Sequence, residues 1–359
     1  MRLRDTFNIV VLMAFAALVT TSCRKGKSSY DTIGESGLTT RTENLRTNLL
    51  PYQSKGVMIG QAYGVTEGIG WMGDSARSDI YEISNDWPAC IGYDLTGIES
   101  GDKLGLDSVP FSLVRKGIID YFHRQGLVVL SWTIPDYGNS DKKLKAYVKN
   151  VETYISSLHD DYGIKVPVVL IVNPLREGVW YFNMQAEMYK QLYSKIVKML
   201  RDEGLTNAIF AFSNTNWKAQ TADEWGAYCP IDDIDVVQLD YVANDNNIFE
   251  KYFLHTVNVA SAYASEHTKA FGLYAGLRGI GDDNFWTKNI LPVVQNCRMS
   301  YLMLGSNHGD AKNGNFYAPY PGQTSVADFM KLYNDPRSLF MSKVNGLILD
   351  HSQKENKKQ

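Results

Sequence analysis

Cysteine is scarce, four in 359 residues. With Cys23 set aside as part of the leader described below, Cys90, Cys229 and Cys297 remain. An odd number leaves at least one thiol free, so no disulfide framework is implied. Metal-type spacing is also missing: none of the six histidines pairs closely with another or with a cysteine, so neither a metal nor another cofactor is expected. Charge of one sign is not in excess either. Thirty-six Lys plus Arg stand against 39 Asp plus Glu, a net charge of -3, and no basic block is interleaved with aromatics, which argues against a nucleic-acid partner. There is no low-complexity insert and no internal repeat beyond the strand and helix rhythm described below. What the chain does have is 44% hydrophobic and 12% aromatic content, enough to bury a large core.

The ends are set apart by composition. Met1-Arg2-Leu3-Arg4 is a basic start, Ile9 to Val19 is an apolar run too short to span as a mature helix, and Thr20-Thr21-Ser22 leads with small residues into Cys23. This resembles a bacterial lipoprotein signal over residues 1–22, with cleavage before Cys23 and lipid on its sulfur. Thr20 stands where Leu or Val is usual, which leaves a cleaved soluble secretory peptide as the other reading. Residues 23–46 are polar and rich in Ser, Thr and Gly, as expected of a flexible tether, and 346–359 read as a polar tail. A lipidated Cys23 would make the membrane a partner and place the protein in the cell envelope, on an outer membrane or cell surface, with Arg24, Lys25 and Lys27 next to the lipid.

Between these ends, over 47–345, eight short apolar runs recur at intervals fit for one crossover helix each. They are Val57 to Gly64, Ala89 to Leu95, Leu127 to Thr133, Val166 to Val172, Ala208 to Asn214, Asp235 to Val242, Ala270 to Leu277 and Ser300 to Asn307. Each is bounded by Gly, Asn, Asp or Pro. The segments between carry helical stripes: Leu144, Val148, Val151, Ile155 and Leu158; Met188, Leu192, Ile196, Met199 and Leu200; and Phe249, Tyr252, Phe253, Val257 and Ala260. The first crossover is thin, with a short helix expected around Ser75 to Ile83. Eight strands alternating with helices predict an α/β fold, a single (β/α)8 barrel.

In such a barrel the site is built just past the carboxyl ends of the strands. The run Val166 to Val172 breaks at Asn173-Pro174, and Glu177 follows with Trp180, Tyr181 and Phe182 behind it. The other strand ends would contribute Gln61 and Tyr63, Tyr93 and Asp94, Trp132 and Asp136, Asn214, Asn216 and Trp217, Asp240 and Tyr241, Tyr274 and Arg278, and Asn307 and His308. Aromatic faces interspersed with amides and carboxylates suit a carbohydrate cleft, since sugars offer apolar C–H faces for stacking and hydroxyls for hydrogen bonds. The candidate glycan contacts are Gln61, Tyr63, Asp94, Trp132, Asp136, Trp180, Asn214, Trp217, Asp240, Tyr241, Tyr274 and Asn307. Each taken singly is equally open to a structural reading.

Several stretches resemble the endo-β-1,4-mannanases of glycoside hydrolase family 26. They are Ile59-Gly60-Gln61, Trp87-Pro88-Ala89 leading into Gly92-Tyr93-Asp94-Leu95, Ser131-Trp132, Asn173-Pro174-Leu175-Arg176-Glu177, and Phe316-Tyr317-Ala318-Pro319-Tyr320-Pro321-Gly322 with Asp328-Phe329 and Asp335-Pro336. The resemblance implies a retaining hydrolase acting on a β-mannan-type polysaccharide or oligosaccharide, with two glutamates about 5–5.5 Å apart. Glu177 matches the acid/base. The strand-seven nucleophile does not match: its position falls on Ala275, or on Tyr274 if the register slips by one, and no Glu or Asp occurs from Lys269 to Ile280. The family's His before the acid/base is Arg176, its Arg three residues earlier is Asn173, its His after Ser-Trp is Thr133, and the His of Gly-His-Gln is missing. An Arg close to Glu177 would favour the ionised carboxylate and weaken a general acid.

Three functions remain open on the sequence. The first is a lipid-anchored glycan recognition protein on a mannanase-like barrel with little or no hydrolysis. The second is an active glycoside hydrolase using Glu177 and a relocated carboxylate such as Asp94, Asp136, Asp240 or the Asp282-Asp283 pair, or using Tyr274 as nucleophile. The third is a structural lipoprotein, because a barrel does not by itself fix a function.

Overall fold

The computed structural model describes residues 32–349, so the leader and Cys23 lie outside it. Eight strands form a parallel sheet in chain order: β1 (Val57–Ala62), β2 (Cys90–Asp94), β3 (Leu127–Trp132), β4 (Val168–Val172), β5 (Ala208–Asn214), β6 (Val236–Ala243), β7 (Ala270–Leu277) and β8 (Tyr301–Leu304). The last closes on the first, Met58 opposite Tyr301, and the result is the single (β/α)8 barrel predicted from the eight apolar runs. The strands are largely buried on both faces, as parallel strands covered by helices must be; all five residues of β4 are buried.

The first helix, α1 (Thr40–Tyr52), precedes the barrel and lies across its N-terminal end. Thr39 caps it by accepting from the Thr42 amide, and Leu45, Leu49 and Tyr52 are buried. The Thr39 amide donates to the Thr206 carbonyl at 3.0 Å, and the Ser300 hydroxyl donates to the Leu49 carbonyl at 2.8 Å, which ties the helix to the entries of β5 and β8. The polar segment expected as a tether up to residue 46 is therefore helical from Thr40. The expected polar tail also begins with packed chain: Leu347 and Ile348 are buried, and Asn48 on α1 donates to the Leu347 carbonyl.

Outside the strands run α2 (Asp79–Ser84), α3 (Phe111–His123), α4 (Asp141–Ser156), α5 (Ala186–Asp202), α6 (Ala222–Gly226), α7 (Asn246–Glu266), α8 (Leu291–Asn296) and α9 (Val326–Asn334). No described helix is long and apolar enough to cross a membrane. On α4, capped by Ser140, the stripe Leu144, Val148, Val151 and Ile155 is wholly buried. Each such side chain contributes about 1.5–3 kcal/mol relative to exposure. On α5 the stripe is Leu192, Ile196 and Leu200, whereas Met188 is exposed. Tyr189 takes the inward position in that first turn, and its hydroxyl donates to the Asn173 carbonyl at 2.7 Å.

Candidate functional site

The barrel mouth is set by strand register. In neighbouring parallel strands paired residues face the same way, so Gln238 and Asp240 on β6, Gly272 and Tyr274 on β7, and Tyr301 and Met303 on β8 form two inward layers. The lower one is closed: the Tyr301 ring fills the space over Gly272, where a Cβ would come within 2.2 Å of it, and its hydroxyl donates to Gln238 Oε1 at 2.6 Å. The upper one opens into a cavity of about 330 Å³, lined among others by Tyr63, Asp94, Leu106, Asp107, Ser131, Arg176, Asp240, Tyr274 and Met303. A wider pocket of about 860 Å³ adjoins it and shares Arg176, Asp240, Val242 and Tyr274. Its other walls carry Glu177, Phe182, Asn214, Trp217, Tyr228 and Tyr241.

Arg176 reaches this centre because β4 ends in a tight turn. Asn173 follows the strand in the left-handed conformation (φ 49°), which an Asn tolerates better than most residues. Its Oδ1 accepts from the Ile134 amide at 3.1 Å, fixing the loop that continues through Pro174 to Arg176. The guanidinium donates to Thr133 Oγ1 at 3.2 Å. Asp240 accepts from Gln238 Nε2 at 2.6 Å. Burial raises the Asp240 carboxyl above the usual carboxylate range, while the hydrogen bond from Gln238 and the Arg176 charge pull it back. The Tyr274 phenol is raised too, by burial first and then by Asp240, Tyr317 and Asp107, with Arg176 opposing. A raised phenol stays protonated at neutral pH, so it can both donate and accept a hydrogen bond. On the other wall, Asp94 accepts from Ser131 Oγ at 2.9 Å and donates its amide to the Tyr63 hydroxyl at 3.1 Å.

The twelve predicted contacts and Glu177 divide into three groups. Tyr63, Asp94, Asp240 and Tyr274 meet in the central cavity. Glu177, Asn214, Trp217 and Tyr241 line the wider pocket. Of these, Trp217 is the open aromatic face, 39% exposed and tilted against Tyr252 at 4.7 Å, whereas Asn214 and Tyr241 are nearly inaccessible and bonded to the Trp225 and Ile248 carbonyls. Glu177 is exposed on the loop.

Five predicted contacts line neither pocket. Trp132 is fully buried on the outward face of β3, its indole donating to Glu99 at 3.0 Å; the inward neighbour is Ser131. Gln61 is likewise buried, outward of Ala62. Asn307 is a structural clamp, donating to Asp79 and the Ala318 carbonyl and accepting from the Tyr317 and Ala318 amides. Trp180 donates to the Ile134 carbonyl and packs on Tyr137, and Asp136 accepts from the Gly138 amide on the surface. For the strand-seven position, Tyr274 faces the cavity and Ala275 is buried away from it.

Sequence reasoning missed Arg176 as a lining residue, along with Asp107, Leu106 and Gln238. Gln238 had a signal: it precedes Asp240 by two, so it shares that residue's face of the strand. Leu106 and Asp107 had none, since they come from the loop before α3 and reach the cavity only through its course.

Residues 133–276 match the model of Glycosyl hydrolase family 26. Among solved structures the chain is similar to a family 26 β-mannanase from Bacteroides ovatus, with 29% identity over 87% of this chain and 98% of that one and a TM-score of 0.80. It also shares its fold with an endo-β-1,4-mannanase from Cellulomonas fimi (22% identity, 88% and 79% covered, TM-score 0.73) and a family 26 protein from Muricauda sp. MAR_2010_75 (19%, 91% and 99%, 0.75). No curated protein matches the sequence. The resemblance read from the sequence thus extends to the family model and to the whole barrel.

Proposed function

We propose that this family 26-like barrel recognises a β-mannan-type polysaccharide or oligosaccharide in its cleft, with little or no hydrolysis, and that it is anchored through lipid on Cys23. The observation that carries the loss of hydrolysis is Tyr274. It occupies an inward, cavity-lining position on β7, next to Asp240 in register, where the family resemblance calls for a carboxylate nucleophile. Arg176 beside it adds a fixed positive charge at the centre. Hydrogen-bonding groups in the cavity and the open Trp217 face in the adjoining pocket supply what a neutral sugar chain requires. The anchor would hold the barrel at the cell envelope, on an outer membrane or cell surface; intact-protein mass spectrometry of the membrane fraction, with Cys23→Ser in parallel, tests it by the loss of acyl mass.

A second reading, an active hydrolase with a relocated carboxylate, is favoured by the fact that Glu177 and the half-buried Asp240 line the same pocket. Reducing-sugar release on galactomannan, glucomannan, xylan and mixed-linkage glucan separates the two. The binding reading expects no release and retention in a mannan-containing native gel. Release that disappears in Glu177→Gln or Asp240→Asn would establish the hydrolase instead, and absence of both release and retention would remove the glycan reading.

A further inference from the structure

At the opposite end of the barrel from the cleft lies a third pocket, of about 600 Å³, between α1, the last turns of α7, the entry of β7 and the segment after α9. Three cations line it, Lys269, Arg298 and Arg337, together with the hydroxyl residues Ser54, Ser265 and Thr268. No Asp or Glu does.

The positive charge there is held in place without a direct ion pair among the described residues. Lys269 Nζ donates to the Ile234 carbonyl at 2.6 Å, and Arg337 donates through Nε to the Val294 carbonyl at 2.9 Å and through Nη2 to the Cys297 carbonyl at 3.4 Å. These partners are neutral. Arg298 is exposed, and among the described residues none of the three cations is in an ion pair. Two carboxylates lie nearby, but neither lines the pocket nor forms an ion pair with its three cations. Asp235 accepts from the Phe210 amide and faces Arg46 and Arg201 as well as Lys269; Asp335 accepts from the Arg337 amide and from Gln295.

The backbone fixes the geometry. The Arg337 carbonyl accepts from the Val57 amide at 2.7 Å at the entry of β1, where only a glycine at 56 fits: a Cβ there would come within 2.5 Å of that carbonyl oxygen. Lys269 follows Thr268, which is left-handed (φ 55°), and its amide is held by the Ala264 carbonyl. Two of the three cations are therefore set in place before any ligand arrives, which reduces the ordering cost of binding.

We propose that this pocket is a binding site for a phosphate group. The Arg298 guanidinium, the donors that Arg337 and Lys269 keep beyond their carbonyl bonds, and the hydroxyl residues on the same walls match a tetrahedral oxyanion, and the absence of lining carboxylates removes the repulsion that would oppose it. The phosphate could come from a soluble phosphate ester or from a phospholipid headgroup. The headgroup source rests on the anchoring proposed above.

The test uses the chain without its first 23 residues, which keeps every described residue. Titration with inorganic phosphate is expected to show saturable binding, weakened at least tenfold by Arg298→Glu and less by Arg298→Lys, while retention in a mannan gel is unchanged in both variants. Arg298 is exposed, so its replacement should leave folding intact, and the melting temperature without phosphate checks this. Co-sedimentation with phosphatidylglycerol vesicles but not phosphatidylcholine vesicles, also lost in Arg298→Glu, would identify the headgroup as the source. Phosphate binding without vesicle binding would identify a soluble ester. No saturable phosphate binding, or binding indifferent to Arg298→Glu, overturns the site. Failure of mannan retention alone would count against the cleft and not against this pocket.

Discussion

The two ends of the barrel carry opposite charge. At the C-terminal mouth three carboxylates, Asp94, Asp107 and Asp240, surround the single cation Arg176; at the N-terminal end three cations line a pocket without a carboxylate. The mouth is built from residues just past the strands, open and hydrogen-bonding, and suits an uncharged polyhydroxylated chain. The other end is plugged by α1 and its neighbours, and what it leaves exposed is a small basic hollow. Chains with this fold carry chemistry at one end and stability at the other. Here the second end also gathers Lys269, Arg298 and Arg337 around a pocket that no carboxylate lines, and under the two proposals the difference separates two ligand classes, a neutral glycan at the mouth and an anion at the base.

The largest effect is expected from Trp132→Ala. If this indole is wall and not lining, its loss costs about 3–5 kcal/mol of unfolding free energy in urea. A stable variant that has lost mannan retention would instead return it to the cleft.

Crowding of acids at the mouth predicts a pH effect. Glu67 is 3% exposed, and burial, with the Asp107 charge added, pushes its carboxyl up to about 7 from an ordinary value of 4.5. The folded chain thus holds this proton more tightly than the unfolded chain. The associated stability is intact below pH 4.5 and is lost as the pH rises through 7, a change of about 3 kcal/mol. Glu67→Gln should therefore gain up to about 3 kcal/mol over the parent at pH 8 and nothing at pH 4.5 by denaturant unfolding. Equal gains at both values would show that the proton linkage is absent.

Trp217→Ala is expected to weaken mannan-oligosaccharide binding by about 1 kcal/mol, roughly fivefold, in calorimetry, and to leave phosphate titration at the base untouched. The smallest effect belongs to the exposed Glu177: Glu177→Gln should change oligosaccharide affinity less than about twofold and stability by less than about 0.5 kcal/mol. A large loss of affinity there would place the glycan across the loop after β4 and not over Trp217.

The barrel was legible in the apolar pattern alone. Eight β-branched runs with helical stripes between them admit few other architectures, and seven of the eight predicted runs begin within one residue of the observed strand. The pattern also determined which strand ends would meet, because parallel strands put all their carboxyl ends on one side. It did not determine which residue of each strand faces inward. Gln61 against Ala62, Trp132 against Ser131 and Ala275 against Tyr274 are each one residue apart, and a slip of one reverses the face. In a strand buried on both sides the apolar pattern is continuous and carries no mark of inside and outside. Only closure of the barrel, through the pairing of Asp240 with Tyr274 and of Tyr301 with Gly272, decided that. The basic pocket was beyond the sequence for a related reason. Lys269, Arg298 and Arg337 are far apart along the chain and ordinary as surface residues, and only the packing of α1, α7 and the segment after α9 around the base brings them together.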